Sequence, residues 1–303
     1  MPSIRSLHTF LAVARLGSFA AAGKEVGLTA AAVGQRMAAL EAEWRQPLFD
    51  RGARQVSLGP AGRAAVAPVQ DLLARYEALA APATAASGLR GRLQVGALVS
   101  ALMGEFADAM WSLKREHPSL ELRLVAGLSS DFALRVERGE LDAAIVTQPP
   151  QRLARDLAWT RLYSEPMVLI VPRRPHFELA ATPLAALRGS PFLRFDRHTW
   201  TGALVEQALR QCRAGAVRDE LELNSVEAII ALVRQGIGVS IVPQLRNVDW
   251  ARDRALRVLA LPRLTVQRHV GLLERRDHAR AQYTAAIKAY FERPSSAAAK
   301  ISA

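Results

Sequence analysis

The chain has 303 residues, about twice the length of a common single domain, so more than one compact unit is expected. Hydrophobic residues make up 50% and charged residues 22%, a globular composition that excludes a fibrous or disordered chain, and no apolar run reaches the roughly 18 residues of a membrane-spanning helix. The formal net charge of +12 favours a polyanionic partner, yet only +3 of it falls in residues 1–58, leaving +9 for the rest, so charge alone does not mark a nucleic-acid-binding region. The opening MPSIRSLHTF lacks the basic-then-apolar plan of a secretory signal, and one cysteine, Cys212, rules out an internal disulfide; the expected compartment is the cytoplasm.

Ser3 caps a first predicted helix with Leu7, Phe10, Leu11 and Ala14 on one face, and Gly17 ends it. Ser18 caps a second helix, FAAAGKEV, which Gly27 ends by taking a positive φ without steric cost. Thr29 caps a third, with Ala32, Val33, Met37 and Leu40 inward and Glu41 and Glu43 outward. Two short helices, a glycine turn and a longer third helix make a helix-turn-helix whose third helix enters the major groove. PLFDRGARQVSL, residues 47–58, then has the form of a winged hairpin, with Arg51 and Arg54 within reach of flanking phosphates.

The third helix is poor in polar groups at Ala30, Ala31 and Gly34. Alanine methyls can contact thymine methyls, and Thr29, Gln35 and Arg36 can bond base edges or phosphate. Gly34 costs a helix about 1 kcal/mol relative to alanine, which a close approach to DNA or to a neighbouring element would explain.

Pro60 opens a long helix whose apolar positions Ala65, Val69, Leu72, Leu73, Tyr76, Leu79, Ala80 and Ala83 repeat nearly every seven residues. That stripe suits a helix pair between two chains; packing on the chain's own domain is the alternative. ASGLRG, residues 86–91, reads as a hinge. From Leu93 strands and helices alternate: LQVGAL, a helix at 103–115, LELRLVAG, a helix at 129–138 closed by Gly139, and LDAAIV. A second set begins near Leu162 with MVLIVP, PFLRF, a helix at 201–213, ELEL, a helix at 225–235 and GVSIVP. A strand at 268–274 and a helix near 279–292 return to the first set, and this order predicts a mostly parallel α/β sheet. PSSAAAKISA reads as a tail.

The segment FLAVARLGSFAAAGKEVGLTAAAVGQRMAALEAEWRQPLFDRGARQVSLGPAG resembles the winged helix-turn-helix of LysR-type transcriptional regulators, through Phe10, Gly17-Ser18-Phe19, Leu28-Thr29, Ala32-Val33, Leu40-Glu41, Leu48-Phe49, Arg51 and the Leu58 to Gly62 junction. It departs from the family at Ala30 and Ala31, commonly polar or proline, and at Gly34, commonly serine. RGELDAAIV and NSVEAIIALVRQGIGVSIVP resemble the family's effector-binding part, so the likeness runs from residue 4 to about 292. It implies a winged helix-turn-helix over 1–58, a linker helix that dimerises over 59–88, and a two-lobed α/β domain, like that of periplasmic solute-binding proteins, over 89–303. Lobe I would take about 92–161 and 268–292, and lobe II about 162–267. The implied DNA contacts are Ser18, Thr29, Ala30, Ala31, Gly34, Gln35, Arg36, Arg51 and Arg54, and the implied partner is double-stranded DNA carrying an interrupted inverted repeat, bound by a homodimer or tetramer.

In a two-lobed domain the ligand lies in the cleft, at strand ends and helix N-termini whose free N–H groups favour anions. Ser100, Thr147, Thr199, Thr201, Asn224 and Ser225 occupy such positions, with Phe195 for an apolar wall and Arg197 for a charge. Thr201 or Ser225 serving only as a cap, and Arg197 meeting only a surface carboxylate, are the plain alternatives. The expected effector is small and anionic or zwitterionic, such as a carboxylate.

No catalytic, metal or cofactor residues are expected: the six histidines show no paired metal spacing, no nucleophile-elbow motif occurs, and QGIGVS lacks the third glycine of a dinucleotide loop. Cys212, inside a predicted helix, reads as packing. An exported solute-binding protein is disfavoured by the winged helix, and a nonspecific architectural DNA binder by the large ligand-type domain.

Overall fold

The computed structural model describes residues 2–50, 56–80, 88–174, 177, 180–246 and 248–292. Three helices come first, α1 (Ile4–Leu16), α2 (Phe19–Val26) and α3 (Ala30–Trp44). Ser3, Ser18 and Thr29 cap them, each hydroxyl accepting the N–H three residues on. Gly17 (φ 61°) and Gly27 (φ 69°) end the first two in the left-handed region, where a side chain is strained. Phe10 lies edge-on to both Phe49 and Trp44 at the centre of the core these helices share. The base of the wing is set by an antiparallel bridge between Phe49 and Leu58, with the Asp50 N–H donating to the Ser57 carbonyl at 2.9 Å. Glu41 does not face solvent as its place in the pattern suggested: Oε1 accepts the N–H groups of Leu48 (2.7 Å) and Phe49 (3.1 Å), tying α3 to the wing.

The long helix α4 (Pro60–Ala80) divides its apolar stripe in two. Val66, Val69 and Leu73 pack into the helix-turn-helix core of their own chain, whereas Leu72, Tyr76 and Leu79 stand 51%, 50% and 85% exposed. Packing on the chain's own domain, the alternative for this helix, therefore holds on one face, and the other face is left exposed. Ala83 and residues 86–87 of the expected hinge lie outside the described residues, as does the expected tail.

The second domain runs β1 (Gly91–Ala97), α5 (Val99–Leu102), α6 (Glu105–Glu116), β2 (Leu120–Ala126), α7 (Ser129–Glu137), β3 (Ala143–Thr147), β4 (Leu157–Pro172), α8 (Pro183–Gly189), β5 (Pro191–Phe195), α9 (Trp200–Gln211), β6 (Arg218–Leu223), α10 (Val226–Gln235), β7 (Ser240–Pro243), β8 (Leu256–Leu259), β9 (Gln267–Arg275) and α11 (Ala281–Glu292). The helix expected at 103–115 is α6, and a short extra helix, α5, precedes it, parted from it at Met103 and Gly104.

The sheet is mixed rather than mostly parallel. Its order is β2-β1-β3-β9-β4-β7 with β8 also on β4; β1 is parallel to β2 and β3, but β9 is antiparallel to β3 and β4, and β4 to β7 and β8. The cause is β9, which runs antiparallel between β3 and β4, together with β4, a single strand of 16 residues of which the sequence suggested only MVLIVP. Its first part, Leu157–Pro166, pairs with β9, and its second, Met167–Pro172, with β7 and β8. One core gathers Leu93, Val95, Phe106, Ile145 and Leu272; the other gathers Leu169, Ile170, Phe192, Ile229 and Ile241. The chain passes between these lobes near Pro166 and again near Val266, so lobe II starts later than the expected Leu162. Lobe I also meets the linker helix, Asp71 of α4 accepting from Arg275 Nη2 and from the Ala279 N–H, both at 3.4 Å.

Candidate DNA-reading surface and ligand cavity

The outer face of α3 is nearly bare of polar groups because its sequence is. Thr29, Ala30, Ala31 and Gln35 are exposed, and Gly34 is partly so. Thr29 Oγ1 accepts the Ala32 N–H at 3.2 Å and Ser18 Oγ the Ala21 N–H at 3.3 Å, so both hydroxyls already hold helix ends. Arg36 is turned inward, its Nη1 donating to the buried Thr9 hydroxyl at 3.0 Å. Gln35 is what remains as an uncommitted, exposed hydrogen-bonding side chain among the expected contacts on α3. A Cβ on Gly34 would meet only the Phe19 ring at 3.9 Å, ordinary contact, so no neighbouring element among the described residues requires glycine there. Arg51 and Arg54 lie outside the described residues.

In the second domain a cavity of about 270 Å³ opens between the lobes. Ser100, Phe195, Thr199, Thr201, Asn224 and Ser225 all line it, brought together from α5, β5 and the starts of α9 and α10. Thr147 lies just behind the lining, fully buried, its hydroxyl 3.2 Å from that of Thr201 across the two lobes and its N–H donating to Ser129 Oγ at 3.1 Å. Arg197 is elsewhere: its guanidinium pairs with Asp219 (3.2 Å) and Glu222 (3.6 Å) on the lobe II surface, the plain alternative for that residue. Thr199 and Ser225 do cap α9 and α10, accepting from the Gly202 and Ala228 N–H groups, while also lining the cavity.

The charges at the cavity come from residues that sequence reasoning passed over. Arg268, on β9, is almost wholly buried; Nε donates to Glu165 at 2.8 Å, Nη2 binds the same carboxylate, and Nη2 donates to Ser100 Oγ at 3.2 Å. Glu165 sits on β4, so this pair joins the two strands close to where the chain crosses between lobes. Arg246 of lobe II reaches back to Glu105 at the start of α6, at 3.0 Å. Glu227 supplies the carboxylate of the lining itself. One signal for Arg268 was present: it shares its strand face with the buried Val270 and Leu272, and a cation at an inward position needs a partner.

Cys212, at the end of α9, is 6% exposed within the lobe II core, and burial pushes its thiol up. Among the described residues no cluster of three or more His, Cys, Asp or Glu is arranged for a metal, and no helix is long and apolar enough to cross a membrane.

A DNA-binding head joined by a helix to a two-lobed ligand-binding domain defines a one-component regulator. Residues 4–63 match the family described as bacterial regulatory helix-turn-helix protein, lysR family, and residues 86–293 match the LysR substrate binding domain. The protein belongs to the LysR family of transcriptional regulators: it binds DNA and is controlled by a small-molecule effector. It is 31% identical to the HTH-type transcriptional regulator IlvR of Caulobacter vibrioides over 91% of this chain and 93% of that one. It is 28% identical to a probable hydrogen peroxide-inducible genes activator of Mycobacterium avium, over 92% and 90%. In fold it resembles a full-length, single-substitution form of OxyR from Pseudomonas aeruginosa, with a TM-score of 0.74 at 22% identity, over 97% of this chain and 95% of that one.

Proposed function

We propose that this regulator acts in the cytoplasm as a homodimer or dimer of dimers, reading an interrupted inverted repeat through α3 and answering a small anionic or zwitterionic metabolite held between its lobes. The observation that carries the reading is the convergence on one cavity of six of the eight effector positions expected from sequence. Leu72, Tyr76 and Leu79, exposed on one face of α4, supply the surface for a second copy, because a helix beside a DNA-binding head seldom leaves such residues to water. Thr29, Ala30, Ala31, Gly34 and Gln35 face the major groove, and Arg51 and Arg54 hold phosphates. An oxidant is disfavoured as the signal, since the one cysteine is buried and its thiol is held protonated, the opposite of a reactive site. Ligand changes the spacing of the heads only by binding one lobe arrangement better than the other.

The test is retention of fragments of its own genomic DNA by the full-length protein at near-physiological salt. Sharp enrichment of an inverted repeat is expected, and flat retention with and without added cell metabolites overturns the reading. Gln35→Ala should change the preferred bases, whereas Arg51→Ala should weaken all DNA alike and lower the salt slope.

A further inference from the structure

The interlobe cavity contains a charge imbalance. Among the described residues, Arg268 is the only cation in its lining, and its Nε and Nη2 are taken up by Glu165, whose side chain is 4% exposed, and by Ser100. The pair is neutral as a whole. An acidic ligand directed at Arg268 would have to displace or crowd Glu165 where water cannot screen the repulsion. Glu227 is different. Its Oε2 accepts from Ser225 Oγ at 2.7 Å, but Oε1 is shut off from solvent and has no hydrogen-bond partner among the described residues. A carboxylate near the start of α10 is favoured by the helix dipole, which accounts for the oxygen bound to Ser225. It does not account for a second oxygen buried without a donor, an arrangement that costs free energy unless something supplies one.

The starts of the helices differ in the same sense. α9 and α10 are capped by Thr199 and Ser225, while α7, whose first residue Ser129 also lines the cavity, follows Leu128 and has no side-chain cap. Its first N–H groups have no side-chain cap, and Gly127 and Leu128 just before it line the same cavity. The lining therefore offers an acceptor for a cation at Glu227, donors for an acid at α7, and apolar walls at Leu98, Phe195 and Val226.

We propose that the effector is a small amino-acid-like zwitterion whose ammonium group is held by Glu227 Oε1 in the interlobe cavity. This rests on the reading that the effector binds between the lobes. It narrows the chemistry: a simple mono- or dicarboxylate would satisfy α7 and leave Glu227 facing more negative charge. The cavity's modest size fits a ligand of amino-acid dimensions.

The test uses the purified full-length protein, thermal-shift assay and calorimetry, with the standard L-amino acids, the matching 2-hydroxy acids and the matching primary amines as probes. At least one amino acid should raise the melting temperature and bind at least tenfold more tightly than its hydroxy acid. Glu227→Gln should remove that preference, weakening the amino acid at least tenfold without weakening the hydroxy acid, whose binding also shows that the variant is folded. Tighter binding of hydroxy acids or dicarboxylates, unchanged amino-acid binding in Glu227→Gln, or no response to any amino acid overturns the proposal. Val99→Trp, at a partly exposed lining position, separates the two readings. Amino-acid binding that survives it places the ligand outside the cavity and removes the underlying reading as well, whereas hydroxy-acid binding that it abolishes leaves the cavity as the site with a different ligand.

Discussion

The outer face of α3 and the interlobe cavity are built by opposite means. On α3 the positions expected to meet DNA are exposed, small and mostly apolar, with Thr29 used as a cap and Arg36 drawn back to Thr9. In the cavity the polar groups are buried and bound to one another, Arg268 to Glu165 and Ser100, and Thr147 to Thr201. A surface of the first kind can be altered with little cost to folding and draws specificity from shape, backbone and a few contacts. The buried pairs of the second kind are part of the structure that holds the lobes, so a change at Arg268 or Glu165 alters stability along with binding.

The strongest challenge to this contrast is Glu165→Ala. It leaves the buried Arg268 guanidinium unpaired and should cost about 3–5 kcal/mol in urea unfolding, while replacing both partners with apolar residues of similar volume should recover most of the loss. If the single substitution cost less than about 1 kcal/mol, the cavity would tolerate change as a surface does. Glu41→Ala tests whether the head has a built-in part of its own. Losing the bonds to the Leu48 and Phe49 N–H groups should cost about 2 kcal/mol and weaken DNA binding by loosening the wing, which hydrogen exchange at those two amides would report. Gly34→Ala should stabilise the protein by about 0.5–1 kcal/mol, because the new methyl has room beside Phe19. Destabilisation there would mean that α3 is less open than its outer face suggests. Smallest of all in stability is Gln35→Ala, within about 0.5 kcal/mol of the parent by thermal melting, although the preferred bases change.

The same contrast governs what the sequence revealed. The caps at Ser3, Ser18 and Thr29 and the glycine stops at Gly17 and Gly27 act within a few residues, so the three helices were legible with nearly their observed ends. The positions at the starts of α9 and α10 were legible for the same reason. Glu165 and Arg268 are 103 residues apart, and only the antiparallel pairing of β4 with β9 brings them together. The parallel sheet expected from alternating strands and helices failed at that point too, since alternation says nothing about a strand that arrives from the end of the chain. Arg197 misled because a loop arginine before a capped helix reads alike whether it faces a cleft or two surface carboxylates. Glu41 looked solvated because its partners are backbone N–H groups, which leave no trace in residue type.

The place of β9 also bears on how the protein is made. Lobe I begins with β1 and β2, yet β3 and the first half of β4 meet across β9, which emerges only after all of lobe II. On the ribosome, lobe II can close its core while lobe I still waits, with one long edge unpaired, for the last strand and for α11 behind it. The lobe started first is finished last. A chain broken off before residue 267 would therefore leave this sheet open and lack Arg268 in the cavity lining.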